Sequence, residues 1–296
     1  MAARADLDRL APIGAALAAQ GARLRPDLPW RRTRDPWAVL VSEVMAQQTQ
    51  LSRVEPAYRS FLKRFPDPVS CAGAPLGDVL RQWSGLGYNR RARNLHQAAV
   101  TVTEEHGGTV PGTLPELLAL SGVGPYTARA VLAFAFERDV GVVDTNAGRV
   151  LARAVAGRAL SGREAQELAD ALVPDGAGWA CNQALLDLGA LVCVSGVPRC
   201  GSCPLESWCA WATAGRQQPD PARGTAGSSS PQGAFVGSER QGRGRLVAAL
   251  RAGPIPVASV AVAAGWPDDE GRAERVLDQL VAEGLVVRRG AVLELP

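Results

Sequence analysis

Four cysteines in one short run, Cys193, Cys200, Cys203 and Cys209, follow the spacing C-x6-C-x2-C-x5-C. Thiols this crowded are metal ligands before they are core residues, and Cys71 and Cys181, which stand apart, read as ordinary small hydrophobes. Zinc knuckles and ribbons bring two close pairs from separate turns. Here only one pair is close, and a single loop offering four thiolates on several sides suits a [4Fe–4S] cubane. A zinc site is the alternative. Two carboxyls complete the reactive set. Glu43 is set among Val39, Leu40, Val44 and Met45, where apolar neighbours raise a carboxyl's pKa and keep it protonated. Asp144 follows the apolar run Val140 to Val143 and precedes a helical pattern, the place of an N-cap. A cap accepting amide hydrogen bonds is expected to lower its pKa, leaving Asp144 ionised and rigid. Two carboxyls driven apart in this way form an acid and a stabilising anion. A plain helix cap and a plain surface glutamate are the simpler readings of each taken alone.

The elements that must position these groups are helical. Apolar residues recur three and four apart in Trp37–Gln50, Leu76–Trp83, Arg91–His106, Leu114–Ala119, Thr127–Phe136 and Thr145–Val155. No alternating strand pattern interrupts them, so residues 1–214 read as all-α. Between two of these helices stands Gly122-Val123-Gly124, followed by Pro125 at a first helical turn. Glycines there allow positive φ and close approach of another backbone, and the amides opening the next helix favour an anion such as a DNA phosphate. Residues 215–242 turn to Gly, Ser, Pro and Gln without periodicity, a flexible linker. Residues 243–296 carry three short helical patterns and two short strands about Arg289-Gly290, a small winged-helix-like module.

Composition bounds the rest. The chain has 296 residues, 47% hydrophobic and 21% charged, with a net charge of +3. That permits a sizeable core and does not argue for nucleic-acid binding, although Arg81, Arg90, Arg91 and Arg93 crowd together. No apolar run is long enough to cross a bilayer, and the charged N-terminus does not read as a secretory signal. Clustered thiols without such a signal point to a reducing cytoplasm. Lys63 is the only lysine.

In chain order, VSEVMAQQTQ, WSGLGYNRRARNLH, LSGVGPYTA, VVDTN and the cysteine spacing resemble the endonuclease III superfamily of DNA repair glycosylases, above all the adenine DNA glycosylases (MutY type). The resemblance covers about Leu28 to Ala212. It implies a two-lobed, all-α helix-hairpin-helix glycosylase fold, with a [4Fe–4S] loop over 193–209 and the cluster-bearing lobe built from both ends of the catalytic region. It implies that Glu43 protonates adenine at N7, that Asp144 stabilises the oxocarbenium-like sugar, that Tyr126 buttresses the aspartate and that Asn146 positions the reacting centre or its water. Gln48 and Tyr88 match residues that wedge into the duplex. Thr49 and Leu86 match residues near the opposite base, and Gly122 and Gly124 match the DNA-binding hairpin. Members that cleave the strand carry a lysine where this chain has Tyr126, so a monofunctional enzyme is implied. The expected partner is double-stranded DNA with adenine opposite 8-oxoguanine or guanine, bound by a monomer in a bacterial cytoplasm at the nucleoid. Two departures stand out: Thr145 follows the aspartate where the family commonly has Gly, and the segment after Arg243 is too short for the Nudix-like domain of typical members. A thymine or uracil mismatch glycosylase, and a non-catalytic iron–sulfur DNA-binding protein, remain as alternatives.

Overall fold

The computed structural model describes residues 4–21, 23, 25, 27–225 and 233–296. The first part of the chain folds into α1 (Arg4–Gln20), α2 (Pro36–Ala46), α3 (Leu51–Arg64), α4 (Pro68–Ala72), α5 (Leu76–Gln82), α6 (Arg90–Glu105), α7 (Leu114–Ala119), α8 (Pro125–Phe134), α9 (Thr145–Val150), α10 (Gly162–Leu172), α11 (Gly178–Leu191) and α12 (Ala210–Thr213). Among the described residues no strand precedes Ile255. The last part folds into α13 (Glu239–Ala252), β1 (Ile255–Pro256), α14 (Val260–Ala264), α15 (Glu270–Ala282), β2 (Val287–Arg289) and β3 (Val292–Glu294). The three strands form an antiparallel sheet in the order β1-β3-β2, with Arg288 opposite Leu293 and Ile255 opposite the same residue on its other side.

Local chemistry sets many of the helix starts. Ser161 and Glu164 form a capping box at α10, and Asp67 and Ser70 form another at α4. Pro125 opens α8, where its missing N–H costs nothing. A one-turn π segment, Leu151–Ala156, prolongs α9. The helix expected over Trp37–Gln50 stops at Ala46, because Gln48 takes φ +52° and cannot continue it.

The chain divides into two compact units: residues 1–39, 112–118 and 123–230 make the first, and 40–111, 119–122 and 231–296 the second. In the first, α1 presents Leu10, Ile13 and Leu17, spaced three and four apart, to a core shared with Leu151, Leu168, Leu185 and Leu188. Each such side chain contributes about 1.5–3 kcal/mol on burial. A bidentate ion pair between Arg31 and Asp187, at 2.8 and 2.7 Å and almost fully buried, ties the N-terminal segment to α11. In the second unit, α6 buries Ala92, Leu95, Ala98, Ala99 and Val102, while Phe61 meets Phe65 and Trp83 edge to face.

The segments expected as a linker over 215–242 and a module over 243–296 both make polar ties to the rest of the chain. The segment expected to be a linker over 215–242 is structured at both ends. Asp220 pairs with the buried Arg153, Thr225 is buried and accepts from Leu160 N, and Ser238 caps α13. Its residues 226–232 lie outside the described residues. The segment 243–296, expected as a separate module, packs within the second unit. There Arg251 donates to Leu80 O and Asn89 Oδ1 at 2.8 Å, and Gly77 N donates to Pro296 O at 2.6 Å. Composition advertised a break in periodicity, but these polar ties join residues far apart in sequence and leave no local trace.

Candidate active site

Asp144 is the N-cap of α9. Its Oδ1 accepts from the amides of Asn146 (2.8 Å) and Ala147 (2.7 Å), and its Oδ2 accepts from the side-chain Nδ2 of Asn146 (2.8 Å). Both oxygens are therefore aimed, and the expected rigidity is present. The expected low pKa is not. Burial pushes the Asp144 carboxyl above its ordinary value, and the hydrogen bonds from Ala147 and Asn146, with Arg149 nearby, only partly offset it. A cap motif is legible in sequence; the depth at which the fold buries it is not.

Behind Asp144 a chain of hydrogen bonds runs to the cysteine loop. Arg149 donates through Nη2 to Asn146 Oδ1 (2.8 Å) and Gly189 O (2.6 Å), and through Nε to Cys193 O (2.6 Å). Burial pulls its pKa down from the ordinary arginine value. Gly189 allows this approach, since a Cβ there would come within 2.6 Å of Asn146 O. Sequence reading passed over Arg149. Its spacing, three residues after Asn146 on one helix face, was the available signal.

Tyr126 sits half-buried in the first turn of α8, in the same unit as Asp144. The turn before it follows expectation in part. Gly122 takes φ +77°, and a Cβ there would sit 2.7 Å from that of Asn94, so only glycine fits. Gly124 is extended rather than left-handed and has open space where its Cβ would be.

Cys193, Cys200, Cys203 and Cys209 line one cavity, whose other walls include Val150, Ala154, Leu188 and Leu205. They form no disulfide. Burial pushes the thiols of Cys193, Cys203 and Cys209 up, Cys203 to about 11. Arg153 donates to Cys193 Sγ at 3.5 Å and to Val194 O at 2.8 Å. Burial works to lower the Arg153 pKa, but its bonds to Asp220 and the Cys193 sulfur outweigh this and hold it up. Among the described residues, no group of three or more His, Cys, Asp or Glu side chains is arranged to hold a metal ion. The donor set is nonetheless four thiols around an apolar hollow. Cys71 and Cys181 are fully buried elsewhere, as expected, and burial pushes both to about 12.

The remaining predicted residues lie in the second unit. Glu43 is half-buried on α2, beside the fully buried Leu40, Val41 and Met45. Gln48, Thr49, Leu86 and Tyr88 come from two loops, one after α2 and one after α5, that a single arginine holds together. Arg91 donates to the carbonyls of Val44, Met45 and Gln47 (2.8, 2.8 and 2.7 Å), to Thr49 Oγ1 (3.0 Å), and to Leu86 O and Gly87 O (3.2 and 3.3 Å). Burial pulls its pKa down to about 10. The two loop tips, Gln48 at φ +52° and Tyr88 at φ +46°, occupy left-handed backbone that costs a non-glycine residue about 1–3 kcal/mol each. Such cost persists where a side chain must be presented. The arginine cluster noted in the sequence is largely structural: Arg91 braces loops, Arg81 pairs with Asp78, and Arg90 and Arg93 bond to Glu283.

Residues 41–174 match the family model of the HhH-GPD superfamily base excision DNA repair proteins. The chain is 44% identical over 274 residues to the adenine DNA glycosylase of Mycobacterium tuberculosis (strain H37Rv), covering 90% of this chain and 87% of that protein. It is 42% identical over 197 residues to the adenine DNA glycosylase of Homo sapiens, covering 62% of this chain and 36% of that protein. Among solved structures, a thermostable thymine-DNA glycosylase superposes with a TM-score of 0.64 at 28% identity, covering 70% of this chain and 98% of that one.

Proposed function

The chain belongs to the HhH-GPD superfamily and, within it, to the adenine DNA glycosylases, and from that premise we propose that it removes adenine mispaired with 8-oxoguanine or guanine, leaving an abasic site without cutting the strand. The enzyme is an adenine-specific glycosylase acting on duplex DNA. The observation that carries the reading is Asp144: a half-buried carboxylate with both oxygens fixed by Asn146 and Ala147. Fixed negative charge in a poorly solvated site stabilises a developing cation without reorganisation.

As the N-glycosidic bond breaks, its electron pair leaves with N9 of adenine, and Glu43 delivers a proton to N7. Positive charge grows on C1′ and the ring oxygen, opposed by Asp144. Water adds to C1′ and loses a proton, giving the abasic sugar. Asn146, whose side chain spans Asp144 and Arg149, holds the carboxylate and orients that water. Tyr126 stands where lyases of the superfamily carry lysine, and Lys63 is exposed on α3, so the absence of a lyase step follows from the lack of an internal amine.

The four cysteines fit a [4Fe–4S] cluster by donor chemistry, apolar walls and the adjacent Arg153. When bound, such a group would organise the 193–209 loop. The reading of residues 243–296 as a winged-helix-like module is supported by the helices α13, α14 and α15 and a three-stranded antiparallel sheet in the order β1-β3-β2.

The test is a duplex series with A opposite 8-oxoguanine, A opposite G, and T opposite G. Alkali-dependent breaks at adenine only, with little borohydride-trapped complex, are expected. Efficient trapping by the unmodified protein, with its N-terminal amine blocked, would reinstate a lyase. Excision of thymine in place of adenine would favour the mismatch alternative. Iron and sulfide at about four each per chain test the cluster; one zinc and no iron would refute it.

A further inference from the structure

The backbone that delivers Asp144 runs from Val140 to Val143, between α8 and α9, and belongs to neither helix nor strand. It ends extended, with Asp144 at φ −106° and ψ −171°. Successive peptide groups of an extended chain point to opposite sides, so such a chain needs partners on both. Among the described residues the only strands are β1 to β3, and these pair with one another. Side chains take the place of the missing neighbours. On one side Asp170 Oδ1 accepts from Gly141 N at 2.8 Å, while Gln166 Nε2 and Arg129 Nη1 donate to Gly141 O at 3.0 and 3.3 Å. On the other side a single residue of α11 replaces a strand. Asn182 Oδ1 accepts from Val142 N at 2.8 Å, and its Nδ2 donates to Val140 O at 2.8 Å. The alternation is that of a ladder, with Gly141 served from one edge and Val140 and Val142 from the other.

Asn182 is fully buried, and its Nδ2 also donates to Gly178 O at 2.7 Å. Both amide hydrogens and the carbonyl oxygen are thus engaged. An apolar residue of similar size would fill the same space but leave Val142 N and Val140 O unsatisfied. What the amide adds is direction. Val142, which it holds, is itself fully buried. Gly141 lies so close to α10 that a Cβ there would sit 2.5 Å from the carbonyl carbon of Ala169. The chain has no slack two residues before Asp144. The cap bonds from Asn146 and Ala147 fix how the carboxylate is turned; Asn182 fixes where its backbone stands.

We propose that Asn182 is a positioning residue for base excision, acting through the backbone of Val140 and Val142 to hold Asp144 against the developing cation, an inference that rests on the reading of Asp144 as the stabilising anion. A displacement of about 1 Å in such a group costs on the order of a hundredfold in rate. Affinity for the duplex does not depend on it, so the effect belongs to bond breaking alone.

The test uses the full-length protein. Single-turnover excision is measured with enzyme in excess over a duplex carrying adenine opposite 8-oxoguanine. Kd is measured with the 2′-fluoro-2′-deoxyadenosine duplex, which binds without turnover. Asn182→Ala is expected to slow excision about thirty- to a hundredfold, to leave Kd within about twofold, and to speed amide hydrogen exchange at Val142. Leu17→Ala, a core truncation on α1 in the same unit, is the control for lost stability. It is expected to lower the urea midpoint as much while changing the rate less than about threefold. Equal rate losses in the two variants would overturn the proposal and reduce Asn182 to a core residue. Asn182→Asp keeps the shape and the acceptor for Val142 N, and it serves if the alanine variant does not fold. It loses the donors to Val140 O and Gly178 O and should slow excision about tenfold; a wild-type rate in it would also overturn the proposal. A wild-type protein that excises no adenine would instead refute the glycosylase reading. The clamp is then judged by exchange at Val142, where unchanged protection in Asn182→Ala would sink it.

Discussion

Asp144 and Arg91 are both charges wired to the backbone, one in each unit, and they are wired with opposite polarity. Asp144 gathers amide N–H groups at a helix start; Arg91 gathers carbonyl oxygens from two loops. Around the anion the backbone is relaxed and the cost is electrostatic, a carboxyl whose ionisation burial disfavours. Around the cation the cost is conformational, with Gln48 and Tyr88 held at positive φ. A site that must stabilise charge holds its cost in desolvation, whereas a site that must present side chains to a large ligand holds it in strain. Changing each should therefore damage the protein in a different currency.

The sharpest test is Asp144→Asn. Excision is expected to fall by about a thousandfold or more, with DNA affinity kept. The thermal midpoint at neutral pH should not fall. A carboxyl whose folded pKa lies above its unfolded value favours the folded state below the unfolded pKa, and that advantage is lost as pH rises through the folded value. At neutral pH the ionised, buried form is a burden that asparagine removes while still capping α9. A lower midpoint with normal turnover would make Asp144 a cap only. For the same reason the acid limb of the wild-type excision profile should be displaced upward from the ordinary aspartate value.

Arg91→Ala should reverse that pattern. It leaves several carbonyls unsatisfied and both strained tips unbraced, so stability should fall by about 2–4 kcal/mol and DNA affinity by about 10–100-fold. Single-turnover excision at saturating enzyme, measured beside urea unfolding, separates the two losses. Intact affinity would show that the loops hold without their brace.

Arg149→Gln is intermediate. It removes the clamp on Asn146 and the link to Cys193 O, so excision should drop about tenfold with little change in DNA affinity. A displaced acid limb would mark it as acting through Asp144, which a purely structural role would not produce.

The smallest effect belongs to Gly122→Ala. Left-handed backbone and contact with Asn94 should cost about 1–3 kcal/mol of stability. Equal stability would mean that the hairpin turn adapts.

What could be read in the sequence divides along the same line. Asp144 with its cap, the hairpin glycine and the cysteine run are local patterns, and local patterns survive in sequence. The helix periodicity of α5 to α9 was legible for the same reason, apart from the early stop of α2 at a left-handed Gln48. Arg91 looked like one of a surface cluster because its acceptors are carbonyls, which carry no sequence signature, and some come from residues more than forty positions earlier. Asp220 and Thr225 sit in a Gly- and Pro-rich stretch whose order depends on partners more than sixty positions earlier, Arg153 and Leu160. The docking of the C-terminal segment through Arg251 and Glu283 was hidden in the same way.

The packing of α1 against α11, sealed by Arg31 and Asp187, sets a schedule for synthesis. Leu10, Ile13 and Leu17 leave the ribosome long before Leu185 and Leu188, the surface they need, exists. At roughly 5–20 residues per second, that amphipathic helix waits about ten to thirty seconds in the open. Throughout that interval it offers an apolar stripe to whatever nascent-chain chaperone passes.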